Sequence, residues 1–256
     1  MIALVALPIA GFLIGLLVVM IGGGGGALYV GILTVVFNVP PAVAAASSLA
    51  TIIPTMAMGA FSHYKAGNVN FRYGLVMLAG GVVGAVFGSL LSPLIPASIY
   101  TKITGLIMLG LTVQMIVSQI KKSKASQREA SEKVGWAKRF AALAFGLLGG
   151  TISGLAGLSG GMSIVVGLGI LGCGVLEMVG TSVFVLTGIS LAGFLVHLGV
   201  GSVDWQLVLL LTAGTVSGAA VGPLILKKLD KKKLEKTMGP LMLVIMIGLS
   251  IALLMK

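Results

Sequence analysis

The chain has 256 residues, of which 57% are hydrophobic and only 9% charged, with a formal net charge of +11. A water-soluble domain carries about 25% charged residues, so this composition excludes one and calls for a bilayer as solvent. The basic residues fall in short segments between apolar runs, where they set topology and meet anionic lipid headgroups; a nucleic-acid partner is not expected.

A membrane span needs about 20 apolar residues. In chain order the candidates are Ile2–Ile21, Ala42–Ser62, Arg72–Leu91, Ile103–Ile120, Phe140–Ala156, Leu176–Leu198, Trp205–Leu226 and Met238–Met255. Met1–Ile21 lacks a basic start and a small-residue cleavage site, which predicts a retained span rather than a cleaved signal peptide. Two apolar segments are too short to cross, Ala27–Phe37 and Gly160–Gly172. The first follows Gly22–Gly26 and stops at Pro40-Pro41; the second follows Gly154, Gly157, Gly160 and Gly161 and stops at Gly172-Cys173-Gly174. Cys173 is the lone cysteine, which rules out an internal disulfide and predicts inert packing. Two histidines and one cysteine offer no metal cluster, and no cofactor is expected.

The chain is written twice. Moving the second half back by 134 positions places His197 on His63, Gly160 on Gly26, Ser182 on Ser48, Gly193 on Gly59, and Gly214, Gly218 and Gly222 on Gly80, Gly84 and Gly88. Duplicated hydrophobic chains are a construction plan of secondary transporters, with the binding site between the halves.

Charge predicts topology. Lys121–Arg139 holds seven Lys or Arg and Lys227–Lys236 holds six, so both should face the cytoplasm. An even number of crossings must then separate them. Leu176–Leu198 and Trp205–Leu226 supply two, so Phe140–Ala156 and Gly160–Gly172 must form a hairpin that returns to its own side. The same count puts both termini outside and leaves only Lys102 and Lys256 among the basic residues on the outer face. The expected fold is an all-α polytopic membrane protein, one transmembrane domain over 1–256. Repeat one (1–120) and repeat two (140–256) are joined by a basic linker (121–139). The repeats have inverted topology, each a glycine-broken helical hairpin plus three transmembrane helices.

The glycine breaks are the first site candidates: Gly22, Gly23, Gly24, Gly25 and Gly26, with Gly157, Ser159, Gly160 and Gly161 in the other half. Glycine strings break a helix and bare its backbone groups, which in hydrocarbon must find a partner. The short helix after each break starts with free N–H groups that favour anions. Close helix packing is the plainer use of such glycines. Hydroxyls follow early in the next spans, at Ser47, Ser48 and Thr51 and at Thr181 and Ser182. They could donate to an oxyanion, or bond within and between helices. His63 and His197 each end a span, as a gate or proton relay, or as a cap on helix carbonyls. Glu177 is the only carboxylate within a span, which argues against a carboxylate proton pathway. The Gly80/Gly84/Gly88 and Gly214/Gly218/Gly222 ridges read as structural, with a pairing of the two halves in view. Gly157-Leu158-Ser159-Gly160 also spells a short serine-protease-like motif with His197 as its base, a weak match in a glycine-rich chain.

The order of these motifs is familiar. Gly22–Gly26, then Pro40-Pro41-Ala42-Val43-Ala44-Ala45-Ala46-Ser47-Ser48-Leu49, then His63-Tyr64-Lys65-Ala66-Gly67-Asn68-Val69-Asn70, with the duplicate at Gly157–Gly161, Val179–Ser182 and His197–Trp205, resembles the TauE/SafE family of sulfite and organosulfonate exporters. The resemblance covers nearly the whole chain. It implies a multi-pass permease of a bacterial or archaeal plasma membrane that moves small sulfur-containing anions. The expected function is secondary transport by alternating access in the direction of export; a passive anion channel is the alternative, and a homo-oligomer is left open. In a Cys173→Ser background, single cysteines placed in 121–139 and 227–236 should react with an impermeant thiol reagent only from the cytoplasmic face. Labelling of either segment from outside would overturn the inverted topology.

Overall fold

The computed structural model describes residues 2–21, 25–122, 135–200, 203–228 and 231–256. Gly22, Gly23, Gly24 and positions 123–134 of the basic linker lie outside them, as do 201–202 and 229–230. Among the described residues the chain forms ten α-helices: α1 (Ile2–Ile21), α2 (Gly26–Val35), α3 (Pro41–Lys65), α4 (Phe71–Leu91), α5 (Ala97–Lys122), α6 (Trp136–Ala156), α7 (Gly161–Ile170), α8 (Val175–Val200), α9 (Trp205–Lys228) and α10 (Lys231–Met255). A 3-10 turn, Ser92–Leu94, follows α4. Five of these helices, α3, α4, α5, α6 and α8, contain a described stretch long and apolar enough to cross a membrane.

Local chemistry sets the boundaries. Pro41 opens α3 at its first turn, where a missing N–H costs nothing. Asn70 caps α4, its side-chain oxygen accepting from the Tyr73 amide at 3.1 Å. Asp204 caps α9 by accepting from the amides of Gln206 and Leu207. Lys256 Nζ donates to the Thr34 carbonyl and to Asn38 Oδ1, 2.7 Å each, and so closes the C-terminal end of α2. α10 begins at Lys231, well before its apolar run, because lysine-rich sequence is good helix former once a span follows it.

Polarity is inverted relative to a soluble protein. Ser47, Ser48, Thr51, Ser89, Thr181, Ser190 and Thr215 are fully buried, while Leu75, Val83, Phe87, Leu106, Leu195 and Leu209 are exposed. Hydrocarbon takes the apolar side chains and hydroxyls turn inward, most of them to partners, though Ser47 and Ser190 have none.

α7 doubles back along α6. A Cβ on Gly160 would strike the Gly149 backbone, and one on Gly167 would strike Phe145 at 2.7 Å. The break therefore turns the chain back on α6. The break corrects the alignment: α7 matches α2 at 135 positions at both ends, and α6 ends 135 positions after α1, whereas α8 begins 134 positions after α3. The gapless repeat is thus one residue out of register within the hairpins. The connection Val36–Pro40 is one residue longer than Leu171–Gly174, and loops absorb such changes without disturbing packing.

The halves exchange helices. α4 packs along α6, and its counterpart α9 packs along α1; α3 packs on α8, and α5 on α10. Both glycine ridges lie in these cross-half seams. Gly80, Gly84 and Gly88 lie against the α6 backbone at Leu143, Leu147 and Thr151, and Gly146, Gly150 and Gly154 answer against Met77, Gly81 and Ala85. Gly214 and Gly218 lie against Pro8 and Phe12 of α1. A methyl at Gly84 or Gly150 would sit closer to a carbonyl oxygen than any real Cβ, and backbone on both sides cannot give way. Gly84→Ala should therefore cost about 1–3 kcal/mol and lower the thermal midpoint of the purified protein. Gly110→Ala, where a Cβ meets nothing within 4 Å, should be neutral or stabilising in the same assay.

Candidate anion site at the glycine breaks

The two breaks meet at α3. A Cβ on Gly26 would lie 2.6 Å from the Gly157 carbonyl oxygen and 2.8 Å from the Ser159 nitrogen, and one on Gly157 would lie 2.6 Å from Ala45 Cα. The N-terminal residues of the two short helices are left-handed, Gly25 at φ 66° and Gly160 at φ 59°, and Ser159 shares that conformation at φ 65°. A non-glycine residue there is strained, a condition that clusters at functional sites. Gly26, Gly157, Gly160 and Gly161 are all buried. For Gly26, Gly157 and Gly160 close packing fully explains the missing side chain, so their glycines alone do not argue for an anion.

The end of α6 lies inside the protein, and its carbonyls are satisfied one by one. The Ser153 carbonyl accepts from the Gly157 amide at 2.8 Å. The Gly154 carbonyl accepts from His197 Nε2 at 2.9 Å and from Ser89 Oγ at 3.2 Å. The Leu155 carbonyl accepts from the Tyr100 hydroxyl. The Gly157 carbonyl accepts from Ser48 Oγ at 2.8 Å, with the Gly26 carbonyl 3.5 Å from the same oxygen. Four helices thus contribute side chains that cap one buried helix end. A carbonyl only accepts, so His197 carries its proton on Nε2.

The expected site hydroxyls divide by what they do. Ser48 donates to the break. Thr51 and Ser182 bond back within their own helices, to the Ser47 carbonyl at 2.9 Å and the Val179 carbonyl at 2.9 Å. Thr181 Oγ1 accepts from the Asn70 amide at 2.8 Å. Ser47 differs: its hydroxyl is fully buried and has no hydrogen-bond partner. His63 lines a cavity of about 300 Å³ with Thr55, Gly59, Ser62, Val216 and Ala219. Thr55 and Thr215, 3.2 Å apart, lie at the inner end of that helix face. His197 reaches the Gly154 carbonyl rather than Ser159, so the pair does not form the nucleophile–base contact that a serine protease needs.

Sequence reading missed Asn70, Ser89 and Tyr100. Asn70 ties the α3–α4 connection to α8: its Nδ2 donates to Glu177 Oε1 at 2.6 Å while its amide donates to Thr181. The pairing of Asn70 with Asp204 across the repeats was a usable signal. Ser89 and Tyr100 reach carbonyls 65 and 55 positions away, which no local pattern reveals. Cys173 is buried beside Glu177, and burial above all pushes its thiol up to about 12, an inert group at neutral pH.

The sequence profile of the family described as "Sulfite exporter TauE/SafE" matches residues 7–249. The chain belongs to the TauE/SafE family. It is 30% identical to the probable membrane transporter protein YdhB of Bacillus subtilis over 213 residues, 82% of this chain and 85% of that protein. It is 26% identical over 247 residues to the probable membrane transporter protein MJ0441 of Methanocaldococcus jannaschii, covering 90% of this chain and 88% of that one. No solved structure matches it. This TauE/SafE protein is therefore a membrane transporter, multi-pass in the plasma membrane, with relatives in a bacterium and an archaeon.

Within it, Glu177 acts as a structural acceptor, taking bonds from Asn70 Nδ2 and from the Gly174 amide at 3.3 Å. Glu177→Gln keeps one acceptor oxygen. It should lose about 1 kcal/mol of stability and retain transport in proteoliposomes; a folded but inactive Gln variant would instead make Glu177 a proton-coupling group.

Proposed function

We propose that this TauE/SafE protein is a secondary transporter of small anions, sulfite or a sulfur-containing organic acid, working by alternating access between two inverted repeats. The observation that supports this reading best is the meeting of the two glycine breaks at the N-terminal half of α3. There two short helices begin with Gly26 and Gly161, and Ser48 bonds to the Gly157 carbonyl with the Gly26 carbonyl 3.5 Å away. Helix N-termini favour negative charge, and discontinuous helices at the interface of repeats are where such transporters bind cargo.

Ser47, one residue before the Ser48 that bonds to the break, is a candidate donor, as is Ser153 on the last turn of α6, whose hydroxyl is likewise buried without a partner. An unsatisfied buried polar group costs about 1–3 kcal/mol. A group kept at that cost calls for a ligand or a water. Ser48 holds the break together and is not available to an anion in this conformation.

Two measurements test the reading. Purified protein should be stabilised in a thermal-shift screen by sulfite or a sulfonate and not by a neutral analogue. Ser47→Ala should raise the unliganded midpoint, because it removes an orphaned hydroxyl, yet weaken anion binding about tenfold, the worth of a hydrogen bond to a charged group. Unchanged affinity in a folded Ser47→Ala protein would place the anion elsewhere. Counterflow in liposomes separates a carrier from a passive channel.

A further inference from the structure

We propose that His197 and His63 are alternating gate latches, and that this structure holds the His197 side shut and the His63 side open. The inference rests on the transport reading above.

The two residues are counterparts in the repeat, at the same position near the ends of α8 and α3. Their surroundings differ. His197 is buried, with Nε2 donating to the Gly154 carbonyl at the end of α6. His63 is half-buried and lines the cavity between α3 and α9. Its hydrogen-bond contact is a long one, 3.4 Å from Nδ1 to the Asn68 amide nitrogen. An amide NH₂ only donates, so Nδ1 accepts and the His63 proton sits on Nε2. That is the same donor His197 uses, and among the described residues it meets no acceptor.

The counterpart of the capped α6 end is the end of α1. In the hairpin register, the carbonyl that corresponds to Gly154 belongs to position 19. The four caps of α6 are Ser48, Ser89, Tyr100 and His197. Their counterparts are Ser182, Pro223, Leu234 and His63. Ser182 bonds to its own helix, proline and leucine side chains cannot donate, and His63 is unlatched. The cavity beside His63 opens between α3 and α9.

The walls agree. Cavity residues Gly59 and Ala219 are half-buried, whereas their counterparts Gly193 and Ala85 are buried. Gly193 is closed over by Leu49, Ser89 and the Gly154 backbone. Exchange of the two arrangements between the repeats would seat His63 on α1, close its cavity and open the His197 side. That is the alternation a transporter needs.

The test uses the full chain in nanodiscs, in a Cys173→Ser background, with Val196→Cys as a reporter on the shut side and Ala220→Cys as a reporter in the cavity. No anion is added, so the gate and the choice of cargo fail separately. His197→Ala should speed maleimide labelling at Val196→Cys about fivefold, the worth of one net hydrogen bond, without speeding Ala220→Cys. His197→Asn, which keeps an N–H donor, should stay near the unmutated rate. His63→Ala removes the latch of the opposite state and should slow Val196→Cys labelling by a similar factor. Opposite signs at one reporter are the signature of two latches. Faster labelling of both reporters in His197→Ala would make His197 a packing cap, and no change, or the same sign from both histidines, would overturn the proposal.

Discussion

A helix that ends inside a membrane protein leaves carbonyls that water cannot reach. The arrangement around α6 follows from that constraint. Its final turn draws one side chain each from α3, α4, α5 and α8, and those bonds hold the break in place against Gly26. Every later feature uses this cluster. Ser48 joins the two breaks, Tyr100 pins the α4–α5 turn, and His197 pins α8.

Glycine makes the cluster reachable. The seam between α4 and α6 has backbone against backbone along its length, from Gly80 against Leu143 to Gly88 against Thr151. In lipid, apolar side chains gain nothing from meeting each other that they do not gain from acyl chains, so association depends on close approach and on polar contacts. The seam supplies the first and the α6 cap the second. Because each seam joins a helix of one half to the hairpin of the other, neither half forms this packing alone.

The near-symmetry of the chain gives the differences their meaning. Identical halves would put identical caps on α1 and α6. Proline and leucine stand where Ser89 and Tyr100 would be repeated, so the two hairpin ends cannot be held equally tightly. The end of α6 is held by Ser48, Ser89, Tyr100 and His197, while the His63 counterpart of His197 lines a cavity between α3 and α9.

The sequence by itself determined the membrane class, the ten helical segments and the family. Each of these is carried by local apolar length, by glycine and proline breaks, or by motif order. It also placed His63 and His197 as partners and the glycine ridges as packing devices. Tertiary structure alone decided what the hydroxyls and histidines touch. Thr51 and Ser182 look like Ser47 and Ser48 in sequence, yet only Ser47 is left without a partner. His197 caps a helix begun more than fifty residues before it rather than its own. It also decided the register, since a one-residue difference hidden in a loop shifts the hairpins against the rest of the repeat. The reason is physical: segment hydrophobicity is a property of neighbours along the chain, whereas a hydrogen bond in hydrocarbon is made with whatever donor the packing brings within about 3 Å.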